Sequence, residues 1–118
     1  MAAASDQLIT SGHLVKTVAL AQALGVQRQA ISAALKAHRM FAFRRGKDEW
    51  VPAFYADAAL DRRGLEQVTR ALGDLPAAAK WTFFTQPRAS LGAVTPLAAL
   101  ARGRLGGVLA AARAEAEH

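Results

Sequence analysis

Residues 18–39 read VALAQALGVQRQAISAALKAHR, and this stretch decides the fold. Leu20, Leu24, Val26 and Ile31 are apolar at spacings that face a shared interior, with Leu35 one turn further on. Ala21 is small enough to let two helices cross closely. Four residues later Gly25 occupies the turn between them, where a positive φ is easiest for glycine. The spacing predicts one helix starting at Thr17, capped by the Thr17 hydroxyl and ending at Gly25, and another over 27–38. This is the arrangement a helix-turn-helix needs. It collects Gln27, Arg28, Gln29, Ser32, Ala33 and Lys36 on the exposed side of the second helix. Amide and guanidinium groups at that end of a recognition helix can read base edges in a major groove. The same pattern fits an ordinary αα corner with a solvated polar face, and the sequence leaves that alternative open.

Immediately downstream, residues 40–52 read MFAFRRGKDEWVP. Phe41 and Phe43 alternate with smaller or polar residues, Arg45-Gly46-Lys47-Asp48 supplies turn chemistry, and Pro52 closes the second strand. A β-hairpin is expected. As a wing it would lay Arg44, Arg45 and Lys47 against phosphate, adding affinity without sequence information. As a plain hairpin its charges only deter edge pairing. Between positions 27 and 47 six residues are basic (Arg28, Lys36, Arg39, Arg44, Arg45, Lys47) and none is acidic. Positions 1–56 hold seven basic and three acidic residues, against eight and six over 57–118, so the positive field is local. Double-stranded DNA is the expected partner, through Gln27, Arg28, Gln29, Ser32, Lys36, Arg39, Arg44, Arg45 and Lys47.

Further out, 5–11 reads as a short first helix with Gly12 as its stop. Beyond the hairpin, a connection over 53–61 is packed down by Phe54 and Tyr55, with Asp57 and Asp61 capping or solvating it. Leu65, Val68 and Leu72 mark a helix over 63–72, and Gly73-Asp74-Leu75-Pro76 breaks it. Pro76 suits the first turn of the next helix, which carries Trp81, Phe83 and Phe84 and ends at Gln86-Pro87. Thr95-Pro96 is an N-cap followed by proline at the first helical position, and a last helix runs over 105–115. Gly106 and Gly107 there allow a close backbone approach. The fold class is therefore mainly α: an N-terminal helix-turn-helix with a short wing-like β-hairpin over 1–56, then a helical unit over 57–118 of the toxin-binding type discussed below. The 118 residues amount to one domain, or to two very small ones sharing a core.

A net charge of +6 points to a polyanion, nucleic acid before acidic membrane. With no cysteine, there is no disulfide scaffold and no thiolate site, which suits a reducing cytoplasm. No apolar run approaches the roughly 20 residues that cross a bilayer, and residues 1–6 lack the form of a secretory leader. A cytoplasmic protein with no membrane partner is expected. His13, His38 and His118 are scattered, with no carboxylate or second histidine at ligand spacing. No glycine-rich phosphate loop is present, and nothing assembles a nucleophile, a base and an oxyanion site. Hence no catalytic residue, metal, cofactor or small-molecule substrate is expected.

The second half carries a family likeness. Residues 49–57 (EWVPAFYAD) hold Pro52, Phe54, Tyr55 and Asp57 as an aromatic-rich connection. Trp81, Phe84, Pro87, Leu91 and Gly92 follow in order, then TPLAAL at 95–100, Gly103, Val108 and Ala111. This run, over about 40–116, resembles the Xre/MbcA/ParS-type antitoxins, a helix-turn-helix followed by a toxin-binding domain. It departs from them in having Pro87-Arg88 where a Pro-Asn-type pair is common, and a reduced C-terminal tail is expected. The likeness implies an antitoxin that binds a cognate toxin, often of the NAD-degrading RES class, and represses its own operon. Trp81, Phe83, Phe84, Pro87, Leu91, Thr95, Pro96 and Leu100 would then form the partner surface. Trp81 and Phe84 share a helix face and Phe83 points elsewhere, so one ring is expected at an interface. The alternatives are a stand-alone helix-turn-helix regulator whose C-terminal helices only dimerise, and a structural adaptor whose basic residues serve solubility. A homodimer is expected for either DNA-binding form.

Overall fold

The computed structural model describes residues 4–117; Met1–Ala3, part of the segment read as lacking a leader, and His118, one of the three histidines, lie outside the described residues. Among the described residues the chain is mainly helical, with seven α-helices and one small antiparallel sheet. The first half runs α1 (Ala4–Thr10), β1 (Leu14–Lys16), α2 (Thr17–Leu24), α3 (Arg28–Lys36), β2 (Phe43–Arg45) and β3 (Asp48–Pro52). A 3-10 turn at Ala53–Ala56 leads into α4 (Arg62–Ala71) and α5 (Ala77–Thr85), and a second at Ala89–Leu91 precedes α6 (Pro96–Ala101) and α7 (Leu105–Ala116). None of these helices is long and apolar enough to cross a membrane.

The sheet order is β1-β3-β2, with Lys16 and Phe43 both opposite Trp50. The hairpin forms where the turn chemistry places it. Arg45 pairs with Asp48, so Gly46 and Lys47 make a two-residue loop, and only Gly46 has a positive φ, at 61°. That is the type II′ geometry, which matches the right-handed twist of the flanking strands. Strand β1 was not foreseen. Three residues are too few to show an alternation, and their extended state is imposed by pairing with β3. Its consequence reaches α2: the extended Lys16 takes the N-cap position without a side-chain hydrogen bond, and Thr17 is the first helical residue rather than the cap.

Gly25 closes α2 in the left-handed region at φ 68°, its N–H reaching back to Ala21 and Gln22. This turn lets Val26 return its own N–H to the Ala21 carbonyl at 3.0 Å. In the second half Asp61 caps α4 through the N–H groups of Arg63 and Gly64, and the Thr95 hydroxyl caps α6 ahead of Pro96. Pro76 sits one position before the expected place, as the N-cap of α5. Of the two glycines in α7, Gly107 faces a neighbour: a Cβ there would lie 3.5 Å from Leu91, whereas Gly106 meets nothing.

One interior joins the two halves. Leu20, Ile31, Phe41, Val51 and Tyr55 belong to the same buried cluster as Leu65, Val68, Leu72, Phe83, Phe84, Leu91, Val108 and Ala112. Phe41 lies parallel to Phe84 at 6.1 Å, and Phe54 packs 5.0 Å from Phe84 and 5.8 Å from Trp81. Tyr55 is fully buried, its hydroxyl 2.6 Å from that of Thr69. Thr69 donates to the Leu65 carbonyl, so Tyr55 is the donor of the pair. Burial pushes the Tyr55 phenol well above its ordinary value, and the neighbouring Thr69 only partly offsets this.

After the second 3-10 turn, Gly92 and Ala93 both have positive φ, 75° and 64°. Ala93 is exposed, so its methyl contributes no burial that would offset the strain. Ala93→Gly is expected to raise stability by about 0.5–1 kcal/mol, read as a higher urea midpoint at unchanged slope.

Candidate nucleic-acid interface

Helix α3 buries Ile31 and Ala34 and leaves Arg28, Gln29, Ser32, Ala33 and Lys36 exposed on its other side. Gln27 is its N-cap residue, in an extended conformation, so its side chain projects beside the first turn. Gln27, Arg28, Gln29 and Ser32 line one shallow depression. Arg28 and Ser32 also line a second, shared with Lys16, Thr17 and Val18 at the start of α2 and with Lys47, Asp48 and Glu49 of the hairpin. The N-terminal end of α3, the start of α2 and the hairpin tip therefore converge on one face. Lys16 and Thr17 were missed in the sequence, because their place on this face depends on β1 pairing with β3.

The basic residues of the window 27–47 divide into two groups. Arg28, Lys36 and Lys47 have no ion-pair partner among the described residues. Arg44 meets Glu49 across the strand pair at 3.8 Å but remains largely exposed, a loose contact that leaves the guanidinium accessible. Arg39 and Arg45 are different, because each already meets a carboxylate of another element. His38 takes a left-handed φ of 60°, which turns the chain off the axis of α3. Arg39 is thereby set 3.2 Å from Glu66 of α4, which also meets Arg62 at 3.7 Å. Arg45 pairs with Asp6 and reaches Ser5 at 3.4 Å, both on α1. Successive residues of a strand point to opposite faces, so Arg44 and Arg45 do not serve the same surface.

The residues proposed for a protein partner do not form one surface. Phe83, Phe84, Leu91 and Pro96 are buried, while Trp81, Thr95 and Leu100 are partly covered and Pro87 is exposed. The expectation that divergent faces on α5 leave a ring at an interface is corrected for Phe83 and Phe84. Helix α5 is covered on two sides: Phe41 and Phe54 lie against Phe84, and the Arg88 guanidinium sits 4.3 Å from the Phe83 ring centre. Arg88 is held there by Glu115 of α7 at 2.9 Å. Arg88 is thus a stitch between α5 and α7. Only Trp81 of the three rings keeps an open side.

No family model, curated protein or solved structure matches this chain.

Proposed function

We propose that this chain is a DNA-binding regulator of transcription, in which α2 and α3 act as a helix-turn-helix and the β2–β3 hairpin as its wing. The order α1-β1-α2-α3-β2-β3, with β1 at one sheet edge and the hairpin at the other, suits a winged helix. In this reading α3 enters the major groove, Gln27, Arg28, Gln29 and Ser32 address base edges, and Lys16, Arg44 and Lys47 bracket the phosphates. The carrying observation is that the polar face of α3 meets Lys47 and Lys16 in one depression, Lys47 without an ion pair among the described residues and Lys16 in a loose, exposed contact with Asp48 at 3.7 Å. Two copies would engage adjacent half-sites as a homodimer.

Repression by an antitoxin is the narrower form, and its support is the likeness of the second half. Val18, on α2, is the one large apolar side chain broadly exposed among the described residues, so no such side chain of the second half stands out toward a protein partner. Together with the burial of Phe83, Phe84, Leu91 and Pro96, this favours the stand-alone regulator.

The test is duplex binding by the full chain over a range of salt concentrations, on a site selected from random sequence and on random duplex. Affinity is expected to fall linearly on logarithmic axes, and Arg44→Gln with Lys47→Gln together should lower the slope by about 2 on both duplexes. An unchanged slope removes the hairpin from the interface. Equal affinity for selected and random duplex removes sequence recognition by α3.

A further inference from the structure

A wide cleft lies away from the basic face, where residues of the two halves meet. It encloses about 520 Å³ and is lined by Gly12, His13, Ala53, Phe54, Asp57, Trp81, Thr85, Thr95 and Leu97. Four separate stretches of chain contribute: the turn after α1, the 3-10 turn after β3, helix α5 and the start of α6. A volume of this size is in the range of small-molecule sites, which mix an apolar wall with a few placed polar groups.

The lining has a definite chemistry. Phe54, Trp81, Ala53 and Leu97 supply the apolar wall. The Phe54 and Trp81 rings are nearly parallel, with 15° between their planes and centroids 5.8 Å apart. Stacked layers need roughly 3.5 Å each, so no third ring fits between these two. A ligand ring must lie along the open side of Trp81, near His13, whose imidazole meets Trp81 edge-on at 6.2 Å. His13 is oriented by Ser11, 2.6 Å from its Nδ1.

Two of the polar groups, Asp57 and Thr85, present acceptors, beside Thr95, whose hydroxyl accepts from the Ala98 N–H, and His13. Asp57 is the only carboxylate in the lining, and no lysine or arginine is there, although the chain carries a net charge of +6. The Asp57 Oδ1 accepts the Ala59 N–H at 2.9 Å, which fixes the carboxylate and leaves Oδ2 for another donor. Thr85 donates its hydroxyl proton to the Trp81 carbonyl at 2.8 Å, so toward the cleft it offers only lone pairs. An ammonium group, with three donors and no acceptor, matches both. An aromatic wall also favours a cation.

We propose that this cleft is a binding site for a small aromatic cation, an arylalkyl ammonium whose ring packs on Trp81 and whose charged end meets Asp57. The site is independent of DNA binding, and its test involves no nucleic acid. The probes are tryptamine and indole-3-acetate, which share a ring and carry opposite charges. The readout is the amide and indole N–H spectrum of the full ¹⁵N-labelled chain, in which two tryptophans give two indole signals. Tryptamine is expected to shift the Trp81 indole and the Gly12 amide saturably, with affinity about tenfold or more above that of indole-3-acetate. Asp57→Asn keeps the acceptor for Ala59 and removes the charge, so it should bring the two affinities to within about threefold. Equal affinities for the two probes in the unaltered chain would overturn the assignment of charge. No saturable shift at Trp81 with either probe up to about 10 mM would overturn the site itself.

Discussion

Replacing Phe84 by alanine is expected to destabilise the whole fold by about 3–5 kcal/mol, the cost of emptying a large, well-packed aromatic site. Phe84 has no exposed surface and touches Phe41, Phe54 and Phe83, two of which come from the first half. The loss is a large part of the roughly 5–15 kcal/mol available to a domain. It should appear as a fall of about 2 M or more in the urea midpoint. The informative feature is where the loss is felt. Trp50 lies on β3 and Trp81 on α5, so single-tryptophan variants report the two halves separately. Because Phe84 belongs to a cluster running from Leu20 to Ala112, both probes should lose stability equally and in one transition. A Trp50 transition that stayed in place while the Trp81 transition moved would show that the halves fold independently.

That shared interior also marks the limit of what the sequence discloses. Helices α2 and α3 were legible because their apolar spacing, Gly25 and the polar run from Gln27 are local signals. The hairpin was legible for the same reason, its glycine fixing both loop and register. The caps at Asp61 and Thr95 are likewise properties of a few neighbouring residues. What was not legible depended on partners distant in the chain. Strand β1 exists by virtue of β3, some 35 positions later, and carries Lys16 to the basic face. Glu66 lies 27 positions from the arginine it engages, so nothing near Arg39 announced that its charge was already paired. The rings of α5 were legible only in part, because helix periodicity gives directions and not what lies in each direction: Phe83 and Phe84 are covered and Trp81 is half-buried. Phe83 is covered by Arg88, a contact that helix periodicity does not disclose. The cleft beside Trp81 is the extreme case, since its lining comes from four stretches that only the tertiary fold assembles.

The division of the basic residues leads to a matched pair of variants with opposite outcomes. One carries Arg28→Gln and Lys47→Gln; the other carries Arg39→Gln and Arg45→Gln. Each removes two positive charges from the same window, so a purely global electrostatic effect would treat them alike. Arg28 and Lys47 are exposed, line the same depression and have no ion-pair partner among the described residues. Loss of a base contact at Arg28, about 1–3 kcal/mol, and of a phosphate contact at Lys47 should together weaken specific binding roughly 30- to 100-fold. Folding stability should change little, because neither side chain supports another element. Arg39 and Arg45 are already paired with Glu66 of α4 and Asp6 of α1, linking the segment after α3 to the second half and the hairpin to the first helix. Their replacement should alter DNA affinity by less than about threefold and instead lower stability, by about 1 kcal/mol for two partly exposed ion pairs. Fluorescence anisotropy on one labelled duplex and urea unfolding of the same preparations provide the two readouts. If the Arg39/Arg45 variant lost as much DNA affinity as the Arg28/Lys47 variant, net charge and not the α3–hairpin face would account for binding, and the placement of α3 in the groove would have to be withdrawn.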